Sequence, residues 1–145
     1  MIKIICLGKL KEKYLIELVN DYTKRINRYH KLEIIELKDE DTLEKEEEKI
    51  LKYIEEKDFV ITLEIEGKEM TSEEFASLLD KTFITHSNIT FVIGSSLGLS
   101  EKIKSLSHCA LSFSKMTFPH GLFRGILLEQ IYRAFKINNN ESYHK

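Results

Sequence analysis

Residues 89–100 read ITFVIGSSLGLS. Ile89 to Ile93 is a short apolar run rich in β-branched and aromatic residues, and Gly94 ends it, which is the pattern of a buried strand. The run is apolar throughout rather than alternating, as expected where both faces of a sheet are covered. Gly94-Ser95-Ser96-Leu97-Gly98-Leu99-Ser100 follows directly. Its glycines open backbone conformations closed to other residues and allow a ligand close approach. The loop is not G-x-G-x-x-G, because Ser96 stands where the second glycine belongs, and no Gly-Lys-Ser/Thr of a phosphate loop occurs. Spacing alone leaves a structural turn and a ligand loop equally open.

Outward from this stretch, strands and helices alternate. Met1 to Leu7 reads as a strand ending at Gly8, Leu32 to Leu37 as a second, and Phe59 to Ile65 (FVITLEI) as a third, closed by a turn at Glu66-Gly67. Tyr14, Leu15, Leu18, Val19, Tyr22 and Ile26 recur at three- and four-residue steps, which predicts an amphipathic helix over 11–29. Thr42 to Glu56 reads as a charged helix. Thr71 with Glu74 forms a capping box for a helix carrying Phe75, Leu78 and Leu79. Ser100 caps a short helix into Leu106, and Ala110 to Ser114 is a fifth strand. Pro119, the single proline, precedes a long final helix marked by Leu122, Phe123, Ile126, Leu127, Ile131, Ala134 and Phe135. The expectation is an α/β fold of one domain over 1–145, a mostly parallel sheet with helices on both faces. Ligands then bind beyond the carboxyl ends of strands, which nominates the loops after Ile65, Ile93 and Ser114.

Composition agrees with one soluble globular domain: 42% hydrophobic and 32% charged residues in 145. A leader peptide is not expected, nor is a membrane span of roughly 20 apolar residues. Cys6 and Cys109 lack metal-ligand spacing and are expected to be buried, reduced thiols. The net charge of -2 hides a strong asymmetry. Residues 1–31 carry eight Lys/Arg against three Asp/Glu, residues 32–80 six against eighteen, and residues 101–145 seven against three. Basic ends that converge in space, or across a dimer, would present a basic face to a nucleic acid despite the acidic total. The acidic run EKEEEK (Glu44 to Lys49) is expected to be a solvated helix face.

The final block is the most specific: LSFSKMTFPHGLFRGILLEQIYRAFKINNNESYHK, Leu111 to Lys145. Taken singly, His120 reads as a helix-capping residue, Arg124 and Glu129 as surface charges, Tyr132 as a core aromatic and the tail as a frayed end. Taken together, IGSSLGLS, LSFSKMTFPH, LLEQIYRAF and the closing SYHK, with IKIICLGK at the start and VITLEIEGK in the third strand, resemble the RlmH family of the α/β-knot (SPOUT) methyltransferases across essentially the whole chain.

That resemblance implies a C-terminal trefoil knot, although chains are generally unknotted, and a cytoplasmic homodimer. It implies methyl transfer from S-adenosylmethionine to N3 of a pseudouridine in 23S rRNA, in the large-subunit stem-loop at the subunit interface, on assembled ribosomes and without a metal. The family's cofactor positions fall on Leu63, Gly94, Phe113, Ser114, Lys115, Met116, Thr117 and Phe118, within the three nominated loops. Many relatives carry Gly-Gly where this chain has Gly94-Ser95; serine is small, so the cofactor is still expected to fit, with less call for a positive φ at residue 95. Sulfonium methyl transfer chiefly needs positioning, whereas N3 must lose a proton. His144 is the expected base, Arg133 and Arg124 the expected charge-stabilising or phosphate-contacting groups, and Tyr143 the expected base-stacking residue. Lys9, Lys11, Lys13, Lys24, Arg25 and Arg28 are available to grip RNA. An oxidoreductase would need a complete glycine fingerprint, and a non-enzymatic ribosome-binding module would have eroded strand-end loops.

Overall fold

The computed structural model describes residues 1–145, and strand and helix alternate along all of them. The order is β1 (Ile2–Leu7), α1 (Lys13–Asn27), β2 (Leu32–Leu37), α2 (Leu43–Leu51), β3 (Phe59–Glu69), α3 (Ser72–Thr85), β4 (Ile89–Ile93), α4 (Glu101–Leu106), β5 (Cys109–Ser112) and α5 (His120–Asn138). The strands form one sheet in the order β2-β1-β4-β3-β5. Every neighbouring pair is parallel, so the expected mostly parallel sheet is parallel throughout.

Side chains alternate across the pleat and sort the helices onto two faces. Ile2, Ile4 and Cys6 of β1, Ile61 of β3, Ile89, Phe91 and Ile93 of β4, and Leu111 of β5 pack with residues of α1, α3 and α5, among them Val19, Ile26, Phe75, Leu79, Leu127 and Ile131. Ile5, Leu7, Val60 and Val92 pack instead with Ile50 of α2, Ile103 of α4 and Leu99. Connections running one way along the sheet thus use the α1/α3 face, and those running the other way use the α2/α4 face. All four crossovers share one hand, as βαβ units require. Leu127, Leu128 and Ile131 of α5 are fully buried. At about 1.5–3 kcal/mol for each such side chain, their burial outweighs the 0–1 kcal/mol of a typical exposed ion pair on the same helix.

The boundaries differ from the sequence reading where side chains intervene. α2 stops at Leu51 rather than Glu56. The Tyr53 carbonyl accepts from Lys3 Nζ at 2.8 Å, and the Glu55 amide donates to Asp58 Oδ2 at 3.0 Å, which closes the chain into a turn. β3 does not end at Ile65. Leu63 and Lys68 both pair with Leu111, so residues 64–67 leave the ladder and the strand resumes to Glu69. Gly67 lies in this excursion, where a β-carbon would sit 2.7 Å from both the carbonyl carbon and the oxygen of Ala110. The Thr71–Glu74 capping box forms as read. β5 ends at Ser112, two residues early. Cys6 is buried, which pushes its thiol up to about 11, while Cys109 is only half-buried. No helix is long and apolar enough to cross a membrane.

A polar network closes the amino end of the sheet. Lys3 Nζ lies 2.7 Å from Asp58 Oδ2, with the two side chains 6% and 0% exposed. Asn88 Nδ2 and Thr90 Oγ1 each donate to Asp58 at 3.0 Å. Burial alone would raise the Asp58 carboxyl, but the hydrogen bonds from Lys3, the Glu55 amide, Asn88 and Thr90 prevail and hold it below its ordinary value. A depressed carboxyl stabilises the fold above its unfolded-state value of 3.8, and the contribution is lost as pH falls through the lower folded-state value. Urea unfolding of Asp58→Asn should show a loss of about 3–5 kcal/mol at neutral pH, because Lys3 is left buried without a counter-charge. The variant should also lose the part of the wild-type destabilisation that sets in below that value, measured as the midpoint shift between acidic and neutral pH.

Candidate functional site

The carboxyl ends of β3, β4 and β5 surround a cavity of about 620 Å³, within the range of small-molecule sites. Its first wall is Leu63 with the excursion Glu64, Ile65 and Glu66. The excursion exists because Gly67 lets β3 rejoin β5 at backbone contact. Thr62 Oγ1 donates to Glu64 Oε2 at 2.6 Å and so orients that carboxylate.

The second wall is the loop after β4. A β-carbon on Gly94 would fall 2.6 Å from the Gly98 carbonyl oxygen, so only glycine allows the loop to fold back there. Gly98 has φ +80°, and its amide donates to the Ser95 carbonyl at 2.9 Å. Ser95 has no positive φ. Its hydroxyl accepts from the Leu97 amide at 3.1 Å and donates to Glu46 Oε1 at 2.6 Å. Glu46 belongs to the EKEEEK run and is only 2% exposed. The solvated face expected for that run is therefore corrected at this residue, which turns inward to hold a loop.

The third wall runs from Leu111 through Phe113, Ser114, Met116, Thr117 and Phe118 to His120 and Phe123. The Met116 amide donates to Ser114 Oγ at 3.0 Å, which sets the turn. Phe113 meets Phe123 edge-on at 5.2 Å, and Phe118 stacks on Phe123 at 6.0 Å. A smaller cavity of about 270 Å³ lies behind Leu111, Ser112, Phe113 and Phe118, toward Gln130 and Ser72.

Of the eight nominated cofactor positions, Leu63, Gly94, Phe113, Ser114, Met116, Thr117 and Phe118 line the larger cavity. Lys115 is exposed and does not. Glu66 and Ser96 lie in the nominated loops without having been singled out, and sequence reasoning missed Ile65, His120 and Phe123 as lining residues. The β3 excursion leaves no trace in periodicity, and Phe123 fits the helix stripe as an ordinary core residue.

The four nominated acceptor-handling residues lie elsewhere. Arg124 is 3% exposed. Its Nη1 donates to Glu36 Oε2 at 2.6 Å and its Nη2 to the Gly8 carbonyl at 3.0 Å. The expected phosphate contact is corrected: this guanidinium ties α5 to the ends of β1 and β2 inside the chain. Arg133, Tyr143 and His144 do meet one another. Arg133 forms a double hydrogen bond with Glu129, at 3.3 Å from Nε and 2.8 Å from Nη2. Its Nη1 donates to His144 Nδ1 at 3.0 Å, and its guanidinium lies 4.8 Å from the Tyr143 ring centroid. Tyr143 donates to Glu129 Oε2 at 2.8 Å and meets Tyr132 edge-on at 4.9 Å. Burial and the bonds with Tyr22 and Glu129 push its phenol upward, so it stays a donor. His144 Nε2 contacts Glu73 of α3. The terminal SYHK is thus docked on α5 and α3 rather than frayed, yet none of its residues lines the cavity.

Comparison with known proteins follows the same lines. A family model described as a predicted SPOUT methyltransferase matches residues 1–144. The chain is 52% identical to the ribosomal RNA large subunit methyltransferase H of Clostridium botulinum strain Eklund 17B, over 99% of each chain. It is 56% identical, over 99% of each, to a Methanococcus maripaludis protein given that name provisionally. Among solved structures, a probable methylase family protein from Haemophilus influenzae Rd KW20 superposes with a TM-score of 0.58 at 11% identity, over 99% of this chain and 70% of that one. The SpoU methyltransferase AviRb from Streptomyces viridochromogenes gives 0.52 at 8%, over 98% and 62%. At these identities the two structures speak for the fold alone.

Glu129 is the common anchor of Arg133 and Tyr143. Glu129→Ala should therefore release the tail. Amide exchange over residues 141–145 is expected to speed up at least tenfold, while the urea midpoint moves by no more than about 1–3 kcal/mol equivalent. Unchanged protection of the tail would show that its aromatic contacts suffice.

Proposed function

The chain belongs to the SPOUT methyltransferase family, and from that premise we propose that it transfers the methyl group of S-adenosylmethionine to N3 of a pseudouridine in 23S rRNA, in the stem-loop that reaches the subunit interface, on assembled ribosomes. One observation carries the reading. The loops nominated from strand ends, and matched to the family's cofactor positions, close around one 620 Å³ cavity. The name of the 52% identical Clostridium botulinum relative supports large-subunit ribosomal RNA as the substrate class.

The residues present fit the donor. Apolar Leu63, Ile93, Leu111 and Phe113 suit a purine, while Glu64 and Glu66 suit hydroxyls and a positive charge. The glycine positions bring main-chain groups of 94–98 to the cavity wall, where amides and carbonyls recognise adenine and ribose without a metal ion. When bound, S-adenosylmethionine supplies a methyl group already activated by its sulfonium charge. This chain's part is to align it with the acceptor.

The acceptor N3 must give up a proton as its lone pair attacks. His144 remains the proposed base. Arg133 donates to Nδ1, so in the neutral ring Nδ1 holds the lone pair that can take the proton and Nε2 carries the hydrogen that faces Glu73; Nδ1 comes free when Arg133 swings to the acceptor base. Glu73 is 61% exposed, so RNA can displace that contact and let the ring turn Nδ1 toward N3. Arg133 then stabilises charge developing on the base, and Tyr143 packs against it. Because these groups do not line the cavity of their own chain, the reading places them at the cavity of a second copy in a homodimer. Ile65, Met116 and Phe118 of the cavity lining are 49%, 76% and 36% exposed, an apolar rim of the kind partners cover. The C-terminal trefoil knot and a cytoplasmic location belong to the same proposal. Exposed Lys9, Lys11, Lys13, Lys24 and Arg28 serve as RNA contacts, with Arg25 already engaged by Asp21.

The decisive test is methylation of purified 70S ribosomes against free subunits with labelled donor, followed by mapping of the product nucleotide. Label at N3 of a 23S pseudouridine in 70S particles alone is the expected result, and label at another atom or in free subunits would overturn it. His144→Ala should keep donor affinity and slow single-turnover methylation by roughly 10²–10⁴-fold near neutral pH. An unchanged rate would remove His144 as the base.

A further inference from the structure

Glu46 has one of the least expected environments in the molecule. It is 2% exposed on α2, on the face of the sheet opposite α5, and no Lys, Arg or His forms an ion pair with it. Its two carboxylate oxygens are each given one donor: Oε1 receives the Ser95 hydroxyl at 2.6 Å, and Oε2 receives the Glu40 amide at 3.0 Å. Its neighbour Glu47 receives the Ser100 hydroxyl at 2.6 Å at the other end of the same loop. Two consecutive carboxylates of α2 thus grip the two ends of the β4–α4 loop. Ser95 lines the cavity, and its oxygen also accepts the Leu97 amide.

We propose that Glu46, acting through Ser95, is a positioning residue that holds the Gly94–Gly98 loop in the form that binds the methyl donor. The physical reason lies in how little else fixes this loop. Gly94 and Gly98 are the residues with the greatest backbone freedom. One short backbone bond, Gly98 N to Ser95 O, closes the turn. The Ser95 hydroxyl adds a side-chain tether on each side, and Glu46 is the fixed end because its helix is packed through Ile50. Removing either member leaves a buried polar group without its partner, and the glycine loop regains alternatives that must be given up on binding. The proposal rests on the reading of the cavity as the donor site.

The test is calorimetry with S-adenosylmethionine on the full chain, together with steady-state kinetics on ribosomes. Ser95→Ala is expected to weaken donor binding roughly tenfold. Glu46→Ala should do the same, with the loss appearing in KM for the donor while kcat at saturating donor and KM for ribosomes stay within twofold. Glu46→Gln retains one acceptor oxygen for the Ser95 hydroxyl but turns its NH2 toward the Glu40 amide, and should recover part of the loss. The Ser95→Ala/Glu46→Ala double variant should bind no worse than either single one, since both act through one contact. Glu48→Ala, on the exposed side of α2, is the control. Wild-type donor affinity in Ser95→Ala, or additive losses in the double variant, would overturn the proposal even if Glu46→Ala folds poorly. Failure of the wild-type chain to bind the donor would instead overturn the functional reading beneath it.

Discussion

At two places the main chain approaches itself more closely than a β-carbon permits, and the cavity depends on both. Gly67 brings β3 back against Ala110 and Leu111 after the excursion of residues 64–67. Gly94 brings the start of one loop against the Gly98 carbonyl. A larger residue at either position would need its neighbour's backbone to move, because the obstructing atoms are carbonyl carbons and oxygens rather than the ends of flexible side chains. Two of the three walls therefore follow from the absence of a single methyl group. The third follows from the turn that Ser114 sets between β5 and α5.

The polar residues of the interior divide between the two ends of the sheet. At the amino end, Asp58 collects Lys3, Asn88, Thr90 and a backbone amide in a closed network. This network also explains why α2 stops early, since the Tyr53 carbonyl and the Glu55 amide are drawn into it. At the carboxyl end, Glu46 and Glu47 reach from α2 to the serines of the glycine loop. The acidic helix and the turn after it thus reach both ends: Tyr53 and Glu55, just past its last residue, belong to the amino-end network, and its first turns belong to the site. Desolvating carboxylates is costly unless their hydrogen bonds are made, and here both oxygens of Glu46 and of Asp58 are engaged.

The C-terminal residues show how a short tail gains a fixed position. Tyr143 and Arg133 share Glu129, the Arg133 guanidinium covers the Tyr143 ring, and Tyr132 supports that ring edge-on. His144 is thereby held between α5 and α3. Arg124, two turns earlier, has the opposite fate: it is consumed by Glu36 and the Gly8 carbonyl. Two arginines of one helix, alike in sequence, differ because one lies over the ends of β1 and β2 and the other lies under the returning tail.

The sequence by itself determined the alternation of elements, the parallel sheet and the three strand-end loops that wall the cavity. Those depend on local signals: apolar runs ended by glycine, a capping box, and three- and four-residue periodicity, each of which acts within a few residues. The family resemblance, carried by motifs along essentially the whole chain, added the individual cofactor positions, seven of which line the cavity, and the kind of chemistry. Tertiary structure alone decided that Gly67 is a point of backbone contact rather than a turn, that Glu46 faces inward from a run that reads as surface, and that Arg124 is an internal tie. In each case the deciding partner is distant in sequence: Ala110 for Gly67, Ser95 for Glu46, Glu36 and Gly8 for Arg124. No periodicity encodes such partners, because they are set by which strand ends the crossovers bring together.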